Sequence, residues 1–155
     1  MKGNFWKAVI WSGIIGGVVM LMLELIMNPL FLDNSMWGPT RMIGAILLGS
    51  GALPPPATFD FGVLMAAMVV HFPLSIIYAL LIGYLIRKVS LGMALLIGAG
   101  IGLGIYFINF YGFTALFPWF SNARNWVQVF IHIMFGVAVA WPFKALYREE
   151  SVINK

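Results

Sequence analysis

The chain has 155 residues, of which 62% are hydrophobic and 9% charged, with no cysteine and a formal charge of +4. A soluble domain of this size keeps too much surface per unit volume to hide that apolar content, so lipid must be the solvent for most of the chain. The lack of cysteine excludes disulfides, thiolate metal sites and a cysteine nucleophile, and the lack of any basic cluster points away from nucleic acid as a partner.

A bilayer core about 30 Å thick needs roughly 20 apolar residues in helical form. The first stretch that qualifies runs from about 7 to 32, after Lys2 and Lys7. The charged start resembles a signal peptide, but the apolar run is too long and no small-x-small cleavage site follows it, so a retained helix is expected. The segment 33–60 is a long loop that ends in "LPPPATFD", where three prolines cannot continue a helix. Within it, "GPTRMIGAILLG" (38–49) is apolar, helix-compatible and too short to span; an interfacial or re-entrant helix over the outer mouth is expected.

Three more spans follow, at about 61–86, 91–117 and 125–146, joined by "RKVS" (87–90) and "PWFSNAR" (118–124). The whole reads as a single domain, an all-α membrane protein built as an antiparallel bundle of four transmembrane helices. Lys2, Lys7, Arg87, Lys88, Lys144, Arg148 and Lys155 fall on one side, and only Arg41 and Arg124 on the other. The excess of Lys and Arg places both termini in the cytoplasm. Trp6, Trp11 and Trp141 then sit near the inner boundary, and Trp37, Trp119 and Trp126 near the outer one.

Small residues govern helix packing in lipid. The first span carries Gly13 and Gly17; the third carries "GAGIGLG", which predicts two packing faces, Gly98 with Gly102 and Gly100 with Gly104. A nucleotide loop is rejected because the spacing departs from G-x-G-x-x-G and no strand precedes it. Pro73, two residues after His71, should kink the second span. Asn125 is an expected helix N-cap and Arg124 an interface anchor. Asp33 and Asp60 flank the loop as solvated residues.

Each span contributes a polar residue at depth: Glu24 with Asn28 one turn on, His71 with Ser75, Asn109, and His132 with Gln128 one turn before. At 1.5 Å per residue, Glu24 lies about 12 Å from the outer end of its span, His71 about 15 Å, Asn109 about 12–13 Å and His132 about 10–11 Å. A lone carboxylate in lipid costs several kcal/mol, so Glu24 needs a partner; with no Lys or Arg at depth, His71 and His132 are the expected ones.

Three readings follow from this layer. It is a polar network that fixes helix register. It is a metal- or proton-handling site, with Glu24, His71 and His132 as ligands to iron, zinc or copper and Asn109 as a fourth or outer group. Or His71 and His132, on diagonal helices, ligate a b-type haem, against which stands the presence of Glu24 and Asn109 at the level a porphyrin would occupy. Hydrolysis finds no support, since Ser50 and Ser75 lack an Asp–His arrangement and there are no paired carboxylates. A non-catalytic accessory subunit of a larger respiratory or transport complex, or a homo-oligomer, also fits, with the aromatic outer segment (Phe110, Tyr111, Phe113, Phe117, Trp119, Phe120) as a partner or quinone surface.

At "WGPTRMIGAILLG", "LPPPATFD", "MVVHFPLSIIYALL" and "NFYGFTALFPWFSNARNW" the chain resembles a family of small bacterial four-helix inner-membrane proteins often labelled "sodium:proline symporter". The resemblance covers nearly the whole chain. It implies a bacterial cytoplasmic membrane and supplies no catalytic residues to carry over.

Overall fold

The computed structural model describes residues 4–147. Lys2, Arg148 and Lys155, three of the basic residues used for orientation, lie outside the described residues. Among the described residues, five α-helices account for most of the length: α1 (Asn4–Leu32), α2 (Gly38–Leu48), α3 (Phe61–Ile86), α4 (Leu91–Phe107) and α5 (Trp126–Leu146). Among the described residues there is no strand. Four helical segments are long and apolar enough to cross a membrane: α1, α3, α5 and the stretch Leu91–Ala115 that α4 begins. The four form an antiparallel bundle, and large apolar side chains such as Leu30, Val69, Leu96 and Leu116 cover its outside. An apolar exterior is what a lipid solvent selects.

Local sequence sets the helix ends. The Asp60 carboxylate, exposed as the sequence suggests, also accepts from the Val63 backbone N–H at 3.0 Å and caps α3. Asn125 caps α5 through Gln128 N–H at 3.0 Å, as its position before the apolar run predicts. Ser90 begins α4 in the same way, at 3.4 Å from Met93 N. α3 runs through Pro73 as one helix.

Around the bundle the order is α1, α3, α4, α5; α1 packs on α3 and α5, α4 packs closely on α5, and α3 meets α4 lightly. Glycines set the close contacts. A Cβ at Gly13 would lie 2.8 Å from Ile76 Cα of α3, and one at Gly98 would lie 2.6 Å from the Gly136 carbonyl oxygen of α5. At Gly102 and Gly136 it would collide with the facing backbone, His132 O and Gly98 O respectively. The expected second glycine face does not pack: a Cβ at Gly100 or Gly104 would meet nothing within 4 Å, and both residues lie exposed. The α4–α5 seam uses one stripe, and the opposite stripe points out of the bundle.

Packing is uneven along the bundle axis. Near the chain termini, Phe5, Val9, Ile82, Ile86, Val139 and Phe143 form a continuous core. Towards the end that carries the 33–60 loop, that core gives way to a cavity. α2 lies over this end, its Gly44 against Val63 of α3. Buried Arg41 ties α2 to the loop, donating to Ala52 O at 3.1 Å and Thr58 O at 2.8 Å. The segment 118–124 is more than a turn: Pro118–Ala123 forms a 3₁₀ helix whose Trp119 Nε1 donates to Met42 O of α2 at 3.0 Å.

Candidate functional site

The cavity has a volume of about 610 Å³, and Glu24, His71, Asn109 and His132 all line it. The four polar residues singled out from four spans therefore meet around one space. Their bonding differs from the expected pattern.

Glu24 does not pair with either histidine. Its Oε2 accepts from Asn28 Nδ2 at 2.5 Å and from Gln128 Nε2 at 2.8 Å. The amides win because Asn28 lies one turn along the same helix and Gln128 projects from α5 at the same level. Gln128, in turn, is fixed by the Asn125 cap at the start of its helix.

His132 is held at both ring nitrogens. Nδ1 lies 2.8 Å from the Gln128 carbonyl, which can only accept, so Nδ1 carries the hydrogen. Nε2 lies 3.3 Å from Asn109 Nδ2, and Asn109 Oδ1 accepts from the Tyr78 hydroxyl at 3.1 Å. The chain Tyr78–Asn109–His132–Gln128 links α3, α4 and α5. Tyr78 is a site residue that sequence reasoning missed; its position two turns after His71 is the signal that could have found it.

The α4 glycine stripe explains how Asn109 reaches this chain. Gly98 and Gly102 bring the α4 backbone onto α5 at Gly136 and His132, and Asn109 follows two turns later on the same face. There the helix changes form. Ile108–Gly112 is a π turn, closed by Phe113 N–H on Ile108 O, so regular α-helix stops at Phe107, short of the expected 117. Such turns widen a helix locally and recur at functional sites. Arg124 braces this one: Nε donates to Phe110 O at 2.7 Å, and the guanidinium sits 4.2 Å from the Tyr111 ring centroid.

His71 stands apart from the other three. Its Nε2 lies 3.0 Å from Gly17 O, across the close α1–α3 contact that Gly17 permits. Again the carbonyl must accept, so Nε2 carries the hydrogen. Nδ1 keeps its lone pair and has no donor among the described residues.

These bonds bear on the metal and haem expectations. Among the described residues no three His, Cys, Asp or Glu side chains come together as a metal-holding group. The ligand set Glu24, His71, His132 and Asn109 lines a common cavity without forming a cage. For haem, both histidine Nε2 atoms are already engaged within the protein, with Gly17 O and with Asn109.

The remaining lining is apolar. Met20, Leu74, Ile105 and Phe135 surround the polar layer, and Phe110, Phe113, Phe117 and Phe120 lie towards the loop end with Met42, Ile43 and Ile46 of α2. Val69 and Pro73, exposed on α3, line the cavity too, so it reaches the outside of the bundle beside that helix. Among the described residues, no lysine or arginine lines it.

An all-α, four-span protein with a polar-floored cavity inside one end of its bundle is the class these observations define. No family model, curated protein or solved structure matches the chain.

Proposed function

We propose that the protein binds a small molecule within the membrane, in the cavity at the loop end of the bundle. The observation that carries this reading is the convergence of Glu24, His71, Asn109 and His132, from four helices, on one space of about 610 Å³. A volume of this order, apolar walls and a few fixed polar groups are the usual features of a ligand pocket, for which volumes of about 300–1,000 Å³ are typical. A network that served only to fix register would be expected to fill its own interior, because protein interiors pack to crystal-like density.

Native mass spectrometry of protein extracted gently from its host membrane tests the reading. Wild type should retain a non-covalent small-molecule adduct, and Leu74→Trp, which fills the cavity from α3, should lose it. Bare wild-type protein would count against a ligand site.

Proton handling is a second reading, favoured by the chain Tyr78–Asn109–His132, in which hydroxyl, amide and imidazole are already in hydrogen-bonding register. Binding of iron, zinc or copper at the same layer requires the side chains to regroup and has less support. Residence in a bacterial cytoplasmic membrane with both termini inside belongs to this proposal, on the Lys and Arg distribution. Membership of a larger complex, as an accessory subunit, is compatible with it.

A further inference from the structure

The polar floor of the cavity has an imbalance between donors and acceptors. Gln128 is 2% exposed, and its Oε1 is fully buried with no hydrogen-bond partner among the described residues. Buried amide oxygens are nearly always satisfied, and an orphan signals either a cost or an absent partner. Its neighbours lean the same way. Both amide donors near Glu24 converge on Oε2, which leaves Oε1 without a donor among the described residues. Asn28 spends its Nδ2 on Glu24, leaving Oδ1 over. His71 spends its Nε2 hydrogen on Gly17, leaving the Nδ1 lone pair. Ser75, also in the lining, has a hydroxyl that can turn either way.

The floor thus offers the cavity two oxygens and a nitrogen that accept, Glu24 Oε1, Asn28 Oδ1 and His71 Nδ1, with the shielded Gln128 Oε1 adding its partial negative charge behind them. One of them belongs to the only carboxylate among the described lining residues, with no lysine or arginine there to answer it. Phe110, Phe113, Phe117 and Phe120 line the same cavity. Hydrogen bonds between an ionised donor and a carboxylate are stronger than neutral ones, and aromatic rings attract cations electrostatically. We propose that the cavity is selective for an organic ammonium carried on an apolar body, its N–H groups donating to Glu24 Oε1 and Asn28 Oδ1 and its body lying among the phenylalanines. The proposal rests on the reading of the cavity as a ligand site and names the chemistry that site selects. A neutral apolar molecule would leave Glu24 Oε1 and Asn28 Oδ1 without a donor, and an anion would face Glu24.

The test uses the full chain in lipid nanodiscs and two fluorescent probes with one body. Dansylcadaverine carries a primary ammonium; its N-acetyl derivative does not. Wild type should bind the amine at least about tenfold more tightly than the acetyl form, the scale expected of one charge-assisted contact in an apolar site. Glu24→Gln should abolish that preference, bringing the two probes to the same affinity. Equal affinity of wild type for both probes overturns the ammonium proposal and leaves the pocket standing. Binding of neither probe overturns both. Displacement of the amine by sodium chloride, but not by potassium chloride at equal ionic strength, would reassign the floor to an inorganic cation and also overturn it. The wild-type comparison needs no variant to fold.

Discussion

Gln128 Nε2 of α5 donates to Glu24 Oε2 of α1 across 2.8 Å, joining residues 104 positions apart in the sequence. It ties these two helices side chain to side chain at the cavity floor, and it fixes the carboxylate against the α5 side of the space. Gln128→Leu should leave Glu24 with Asn28 alone and lower stability by about 1–2 kcal/mol, the range for a lost hydrogen bond to an acidic group tempered by the small net worth of such bonds in lipid. Thermal unfolding in detergent, followed by tryptophan fluorescence, checks it; an unchanged midpoint would mean that the bond adds nothing to the bundle.

The two glycine stripes of α4 should respond oppositely to a methyl group. Gly102→Ala drives Cβ into the His132 backbone and should cost about 1–3 kcal/mol or more as an overpacked contact. Gly100→Ala meets nothing within 4 Å and should be neutral or slightly stabilising, because alanine loses less backbone entropy than glycine on entering a helix. Paired melting curves decide it, and equal effects would contradict the assignment of the seam to one stripe.

His132 should be found as the Nδ1–H tautomer, since the Gln128 carbonyl at 2.8 Å demands a hydrogen there and Asn109 supplies one to Nε2. Nitrogen chemical shifts from labelled protein in lipid report this directly. Asn109→Leu should shift the Nε2 resonance and leave Nδ1 nearly where it was; a protonated Nε2 in wild type at neutral pH would sink the assigned direction of the chain.

Chelation should leave the fold intact. The cavity is framed by amide, hydroxyl and imidazole contacts already made within the protein, with no three-ligand cluster among the described residues. Prolonged treatment with EDTA should therefore not move the unfolding midpoint, and a drop of several degrees would revive the metal reading of the layer.

Trp119→Phe removes the indole N–H that reaches Met42 O at 3.0 Å. α2 then keeps its Arg41 anchor and its contact with α3 but loses its tie to the 118–123 segment. Amide exchange across Gly38–Leu48 should quicken by roughly fivefold, for about 1 kcal/mol of lost local stability. Exchange in α5 should not change.

The spans are legible in the sequence because each is a long apolar run, and the ends of α3 and α5 because Asp60 and Asn125 stand directly before such runs. Depth counting brings four polar residues to one level, and they line one cavity. What counting along a helix cannot supply is the azimuth of each side chain once neighbours compete. Gly17 brings α1 so near α3 that its carbonyl captures His71, and Asn28 and Gln128 reach Glu24 before any imidazole does. The π turn at Ile108–Gly112 is equally out of reach, because it depends on i→i+5 bonds and on Arg124 holding Phe110 O from the next segment. The two-faced reading of the α4 glycines fails for a related reason: a small residue permits close approach but does not say which helix will come.

At Gly98, Gly102 and Gly136 the main chains of α4 and α5 touch with no side chain between them. A joint of that kind has no rotamers to repack and almost no slack, so these two helices behave as one stiff wall. α3, held close to α1 at Gly13, meets α4 only lightly across the gap, so the loose seam of the bundle lies between α3 and α4. Under the ligand-site proposal, that seam is where an occupant would pass, while the wall bearing Asn109 and His132 keeps its shape.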